Sequence, residues 1–326
     1  MVRDTRTDGE VDVAVVIVNY RTPALTIDCV RSVFQSSAVT VHVVIVDNAS
    51  ADDSVEQFHA RFAVEPRVTV IARSTNDGYT GGNNVGLEHA RGLGARFALV
   101  LNSDTVVAPD CLSHLVAAMD KEPRVALACP RIFYGDAPEL LWFGGGVFSP
   151  WRGRAVHVGH RRPAAEGWQL ARDLPFATGC ALLLRFSACH PPVFDTTLFG
   201  YAEDLDLCLR IRVAGQRILY VPEADVWHYD ASSYRVSGGQ SLRSYLSTRN
   251  QLRVVLRHAQ WYQWPVVVPM LAVNVVGRFF AIAVRNGDAR AAGAVLLGAW
   301  HAVSGGHHAI EGVRSGDDDG SRAHTD

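Results

Sequence analysis

Val13-Ala-Val-Val-Ile-Val-Asn-Tyr20 decides how the chain begins to fold. An unbroken apolar run of this length, ending on polar residues, suits a strand buried on both faces in the middle of a parallel sheet. Val41 to Val46 repeats the pattern, Val68 to Ala72 is a shorter copy, and Phe97 to Leu101 is a fourth that stops at Asn102. Helical periodicity fills the gaps. Leu25, Cys29, Val30, Val33 and Phe34 share a face after the first run, and Val55, Phe58 and Phe62 after the second. Leu112, Leu115, Val116 and Met119 keep i, i+3, i+4, i+7 spacing after the fourth. Gly78 to Gly86 reads as a glycine- and asparagine-rich loop leading into a helix over Asn84 to Arg91. Strands alternating with helices predict an α/β fold.

Further along, Arg131 to Arg172 is rich in Gly, Pro and Trp and is expected to be irregular or an insertion. Strand patterns stop at about Ser241, and apolar helical segments run to about Gly312. Pro265 to Val284 approaches the make-up of a membrane span, but Asn274 and Arg278 interrupt it, Gly277 weakens it and two prolines sit near its start. An interfacial or packed helical hairpin is expected there instead. The chain therefore divides into a flexible N-terminus (1–11), an α/β domain (12–240), a helical, membrane-associating extension (241–312) and a disordered polar tail (313–326).

Composition sets the outer bounds. With 326 residues, 48 % apolar and 20 % charged, the chain is a globular protein with a sizeable core. A net charge of −2, from 31 basic and 33 acidic residues, offers no global field for nucleic acid. Lys121 is the only lysine, a bias towards arginine from which no function follows. Six cysteines (29, 111, 129, 180, 189 and 208) form no CxxC pair and no zinc spacing, so reduced, buried thiols are expected. Met1 to Asp12 lacks the apolar core of a signal peptide, which points to a cytoplasmic protein.

Ligands of open α/β sheets bind beyond the carboxyl ends of the strands, which singles out Tyr20, Asp47, Asn76 and Asn102-Ser103-Asp104. The triplet serves equally as a helix-capping turn or as a site where a carboxylate holds a hard divalent cation whose other ligands come from a diphosphate. In Glu203-Asp204-Leu205-Asp206, capping and an Asp206–Arg210 pair are the plain explanation. Three acids in four residues also suit a carboxylate that takes a proton from a sugar hydroxyl. His228 on its own is more simply structural than a ligand. The glycine order at 78–86 matches neither the dinucleotide fingerprint nor the P-loop, which argues against both classes.

Taken in order over Val13 to Asn250, these segments resemble the inverting family 2 glycosyltransferases of the GT-A fold, particularly the bacterial rhamnosyltransferase-like branch. The resemblance implies a mixed, mainly parallel sheet with a C-terminal helical extension. It implies that Val18 and Tyr20 line the nucleotide base and that Asp47, in Val43-Val-Ile-Val-Asp-Asn-Ala-Ser50, hydrogen-bonds it. Asn76-Asp-Gly-Tyr-Thr-Gly-Gly-Asn-Asn84 is similar to the donor-side loop, giving Asn76, Gly82, Asn83 and Asn84 donor roles. Leu101-Asn-Ser-Asp-Thr105 sits where the family carries its metal motif, with Asp104 as main ligand, Asn102 a weaker one and Ser103 on the donor. Thr178-Gly-Cys-Ala181 and Phe199-Gly-Tyr-Ala-Glu-Asp-Leu-Asp-Leu-Cys-Leu-Arg210 resemble the acceptor side, implying such roles for Gly179, Glu203, Asp206 and Arg210 and a general base at Asp204. Trp227-His228 and Ser233 look like the segment whose histidine completes the metal site, with Ala231 in the place of glycine.

The implied reaction is a direct, configuration-inverting displacement that uses Mg²⁺ or Mn²⁺ to neutralise the departing nucleoside diphosphate. The donor would be a nucleotide sugar, dTDP-rhamnose ahead of a UDP-hexose. The acceptor would be a glycan or lipid-linked glycan at the inner membrane face. Arg249, Arg253 and Arg257, four residues apart, form either a solvated face or a contact with anionic headgroups or the acceptor's diphosphate. Two alternatives are the same fold acting on a soluble small-molecule acceptor and a noncatalytic nucleotide-sugar-binding protein. A sugar nucleotidyltransferase is disfavoured, because no glycine-rich, arginine-containing phosphate loop follows the first strand.

Overall fold

A computed structural model describes residues 11–164, 168–230 and 239–306. Nearly all of the expected flexible N-terminus, the expected tail at 313–326, and Ala231 and Ser233 lie outside the described residues. The first half contains β1 (Val13–Asn19), α1 (Pro23–Val33), β2 (Val41–Asp47), α2 (Ser54–Phe62), β3 (Val68–Ala72), α3 (Gly78–Gly92), β4 (Phe97–Asn102), β5 (Thr105–Val107) and α4 (Cys111–Lys121). The second half adds β6 (Val125–Tyr134), β7 (Leu140–Phe143), β8 (Gly146–Ser149), β9 (Arg154–His157), β10 (Arg162–Pro163), β11 (Arg172–Asp173), β12 (Ala181–Arg185), α5 (Glu203–Val213) and β13 (Arg217–His228). Three helices follow: α6 (Gly239–His258), α7 (Trp264–Phe280) and α8 (Ala289–Ser304).

The apolar runs become the centre of an eleven-stranded mixed sheet whose longest ladders are parallel. β1 lies between β2 and β4, parallel to both, and Val13 to Ile17 are fully buried. β12 enters antiparallel to β4, so the parallel half joins an antiparallel half beyond it. β13 runs parallel to β6 and then pairs with β5, which sets His228 opposite Thr105. All six cysteines are buried free thiols, as their spacing suggested.

Two expectations are corrected here. The glycine-rich segment is not a loop: α3 begins at Gly78, and its glycines are contact points. A Cβ on Gly86 would stand 2.3 Å from Val16 Cγ1, and one on Gly82 would stand 2.9 Å from Val18 Cγ1. Bare backbone is what lets the helix lie this close to β1. The stretch from Arg131 to Arg172 is also not irregular, because it contains the end of β6 and β7 to β11. Its strands are two to four residues long, too short for a periodic signal to stand out.

The helical extension folds back onto the sheet domain. Tyr245 and Leu246 of α6 pack with Phe199, and Val267 and Leu271 of α7 pack with Val255. The arginine stripe is engaged within the protein, although Arg257 remains exposed. Arg249 is fully buried and donates to the carbonyls of Thr197 and Leu198. Arg253 donates to the carbonyl of His301, and Arg257 pairs with Asp195 and Asp206. Residues Trp261–Val284 form a helical stretch of 24 residues whose most apolar window has mean hydropathy 2.0 and is only 17 % buried, long and apolar enough to cross a membrane.

Candidate active site

A cleft of about 440 Å³ opens at the carboxyl ends of β1 and β4, where an open sheet of this kind binds ligands. Val18, Tyr20 and Asn76 line one side, Asn102, Ser103, Asp104 and His228 the floor, and Gly179, Glu203 and Asp204 the opposite wall. Eight sequence candidates thus meet with Asp104 and Asp204 around one cavity, the ten coming from six chain segments.

The Asp104–His228 pair is built by strand pairing. Asp104 stands in the short turn between β4 and β5, and the β5–β13 register carries His228 to it, with Nε2 3.1 Å from Oδ1. Trp142 from β7 stands edge-on to the imidazole, with ring centroids 4.6 Å apart. Burial disfavours protonated His228, but Cys180 and the Asp104 carboxylate outweigh it and hold the pKa well above the ordinary imidazole value. Nδ1 of His228 is buried without a hydrogen-bond partner. The pair fits a divalent ion: adjacent ligands of an octahedral ion at 2.0–2.1 Å stand about 3.0 Å apart, close to the observed separation. Among the described residues no third His, Cys, Asp or Glu joins them. That suits magnesium-like ions, which keep positions for water and substrate phosphate.

Across the cleft, Asp204 sits in the first turn of α5. Oδ2 accepts from the Gly179 amide at 3.0 Å and Oδ1 from the Leu205 amide at 2.8 Å. Gly179 is closely approached, since a Cβ there would stand 3.0 Å from Tyr79 Oη and in van der Waals contact with Asp204 Cβ at 3.6 Å. Burial raises the pKa of Asp204, with the two amides opposing. Glu203 is pushed up much further, by burial and then by the charge of Asp204, and its Oε2 has no partner. Such a pair separates into a carboxyl that keeps its proton and a carboxylate able to take one.

The loop before α5 is held in an unusual conformation. Phe199, Tyr201 and Ala202 all have positive φ, at 65°, 67° and 63°. Asn250 Nδ2 donates to the carbonyls of Leu198, Gly200 and Tyr201, and Arg249 holds the same loop one residue earlier.

Other candidates stand apart from the cleft. Asp47 accepts from Asn19 Nδ2, Ser50 Oγ and the Ser50 amide and is not among the residues lining the cleft. The next residue, Asn48, lines the cleft with a buried, unpartnered Oδ1. Gly82 packs on Val18, Asn83 bonds the Tyr79 carbonyl, and Asn84 bonds both the amide and the carbonyl of Phe194, so these three build α3 instead of touching the cleft. Asp206 is fully buried and held by Arg210, Arg257 and His258, and Arg210 also bonds the Val193 carbonyl. Neither lines the cleft, and Asp206 ties α5 to α6 through Arg257 and His258. Sequence reasoning missed Asn48, Tyr79, Trp142, His157, Arg243, Ser247 and Gln251 as cleft residues.

Residues 14–190 match the family model "Glycosyl transferase family 2". The N-acetylglucosaminyl-diphospho-decaprenol L-rhamnosyltransferase of Mycobacterium tuberculosis is 28 % identical over 249 residues, covering 69 % of this chain and 78 % of the relative. An uncharacterised protein of Sinorhizobium fredii is 26 % identical over 59 % of this chain, which spans only 21 % of that relative's length. Among solved structures, GalNAc-T7 with UDP, GalNAc and Mn²⁺ superposes with a TM-score of 0.59 at 18 % identity, over 77 % of this chain and 48 % of the other. The mannosyltransferase PcManGT from Pyrobaculum calidifontis, with GDP-Man and Mn²⁺, gives a TM-score of 0.55 at 17 % identity over 94 % and 81 %. These two share the GT-A sheet that positions the cleft. With the match covering more than half of the chain, this protein belongs to glycosyltransferase family 2.

Proposed function

We propose that this enzyme transfers a sugar, rhamnose from dTDP-rhamnose in the first instance, to a hydroxyl of a lipid-linked glycan in surface-polysaccharide synthesis, with inversion and with a divalent ion. The observation that carries this is a carboxylate–imidazole pair and a buried carboxylate pair facing one cleft: Asp104–His228 and Glu203–Asp204. The mycobacterial relative, whose name specifies a rhamnosyl transfer to a diphospholipid-linked sugar, supports the choice of donor and acceptor.

Asp104 and His228 would hold Mg²⁺ or Mn²⁺, which neutralises charge on the departing diphosphate. Val18 and Tyr20 offer an apolar and aromatic surface to the base, and the unpartnered Asn48 Oδ1 and Asn76 offer polar contacts to it. Asp204, with its pKa raised into a more basic range, takes the proton of the attacking hydroxyl. Glu203, held protonated, leaves Asp204 as the charged member of the pair. The exposed aromatic and aliphatic side chains of Trp261, Trp264, Val273 and Phe280 suit a peripheral seat on the inner membrane face.

The test is a screen of nucleotide sugars by thermal stabilisation with and without Mn²⁺, followed by transfer to a diphosphate-linked N-acetylglucosamine. Stabilisation by dTDP-rhamnose and transfer of its sugar are expected. Stabilisation by a different donor would replace rhamnose, and transfer only to soluble aglycones would replace the acceptor. Absence of any transfer or donor hydrolysis would leave a binding protein.

A further inference from the structure

The two amides that hold Asp204 differ in origin. The Leu205 amide belongs to α5 and moves with the carboxylate, whereas the Gly179 amide comes from another segment and ties the carboxylate to the rest of the cleft. Glycine has the freest backbone of any residue, so a carboxylate held by Gly179 is only as well placed as whatever holds Gly179. Tyr79 does so. Its Oη donates to the Gly179 carbonyl at 2.6 Å, while the Gly179 amide donates to Asp204 Oδ2 at 3.0 Å, so both polar groups of this one residue are engaged.

Tyr79 is itself anchored. Its ring stands edge-on to Phe194, with centroids 6.0 Å apart. Its neighbours fix the start of α3: Asn48 Nδ2 donates to the Gly78 carbonyl at 2.8 Å, the Gly78 amide to Asn76 Oδ1 at 2.9 Å, and the Thr80 amide to the Phe199 carbonyl at 3.2 Å. Asn48 and Asn76 line the side of the cleft given above to the donor's base. A run of covalent links and hydrogen bonds therefore leads from that side, through Tyr79 and Gly179, to the carboxylate on the opposite wall. Water in an open cleft could satisfy the Gly179 carbonyl equally well. Only a side chain fixed at its other end gives that peptide a direction, and direction is what a proton-accepting carboxylate needs.

We infer that Tyr79 is a positioning residue, whose hydroxyl fixes the Gly179 peptide so that its amide aims the Asp204 carboxylate. This rests on the base role proposed above for Asp204 and adds the group that holds it from the donor side. Tyr79 acts through Gly179 and exchanges no proton with the acceptor.

The test is Tyr79→Phe in the full chain, which keeps the ring and its contact with Phe194 and removes only the hydroxyl. Gly179→Ala is the second variant, since its Cβ would stand 3.0 Å from Tyr79 Oη and displace the phenol. With Mn²⁺, dTDP-rhamnose and a diphosphate-linked N-acetylglucosamine, kcat should fall by about tenfold in each variant while donor KM holds. Carboxyl NMR of isotope-labelled aspartate, with Asp204→Asn to assign the signal, follows the same carboxylate without any substrate. The Gly179 amide favours the charged form, so loosening it should raise the Asp204 pKa, by about 0.5–1 pH unit. Glu203 and Cys208, which feel the charge of Asp204, both belong to α5 and are left in place by the substitution. An unmoved titration in a folded Tyr79→Phe protein would overturn the proposal: with kcat lowered, the phenol acts on substrate directly, and with kcat unchanged, the bond is an anchor for α3 and nothing more. A raised Asp204 pKa in Tyr79→Phe, together with wild-type transfer by Asp204→Asn, would uphold the tie and sink the base role on which its purpose rests.

Discussion

His228 Nε2 lies 3.1 Å from Asp104 Oδ1 although 124 residues of chain separate them. The β5–β13 pairing produces this contact by placing His228 opposite Thr105, the residue next to Asp104. If the two hold one ion, a chelator should abolish transfer and Mn²⁺ should restore it. Asp104→Asn should raise the metal concentration for half-maximal rate by about tenfold or more, and His228→Ala should act in the same direction. Rates insensitive to EDTA would remove the ion from the mechanism.

Asp204→Asn should retain metal-dependent donor binding and lose transfer by about 10²–10⁴-fold, the usual worth of a positioned base. The pH profile provides a second check. Because burial raises the Asp204 pKa above its ordinary 3.8, the base becomes protonated at a higher pH than a solvated aspartate would. The acid limb of kcat/KM should therefore lie above the ordinary aspartate range. Wild-type-like rates in Asp204→Asn would identify a different base.

Glu203 makes a prediction about stability. Its folded-state pKa is raised well above the ordinary 4.5, so between those two values the folded chain holds a proton that the unfolded chain has released. Stability falls as pH rises through that window, and the full penalty is present above it. Glu203→Gln removes the buried acid and should raise stability at pH 8 by about 1–3 kcal/mol, with the gain vanishing below about pH 4. Thermal melts at the two pH values check this, and equal shifts at both would show that the acid carries no such penalty.

The strands around β1 were legible because a doubly buried strand must be apolar throughout, and Val13 to Ile17 leave no other choice. Asp104, Asp204 and His228 were singled out by the order of the motifs that resemble the family, and all three line the one cleft. Elsewhere the sequence is ambiguous for physical reasons. Glycine permits a turn and equally permits close helix packing, and only the presence of Val16 against Gly86 tells the two apart. Four-residue spacing puts Arg249, Arg253 and Arg257 on one face without saying what covers it. The covering groups, Leu198, His301 and Asp195, come from distant segments. Asp47 and Asn48 differ by one position, and which of them turns into the cleft depends on Asn19 and Ser50 claiming the first.

Asn250 shows how the extension supports the chemistry of the sheet domain. Three non-glycine residues with positive φ precede Glu203, each a conformation that costs about 1–3 kcal/mol unless its surroundings impose it. The Asn250 amide imposes it on this loop through three carbonyl groups, at 2.6, 2.6 and 3.1 Å. Asn250→Ala should destabilise the protein by about 2–3 kcal/mol through lost and orphaned hydrogen bonds. Because the loop aims Asp204, kcat measured well below the melting midpoint should fall while donor KM stays constant. Asn250→Asp should be worse than alanine at neutral pH, since a carboxylate can only accept and would face three acceptors. If kcat in Asn250→Ala matches the wild type at a temperature where both are folded, the loop reaches its conformation without this side chain and the coupling between α6 and the base is absent.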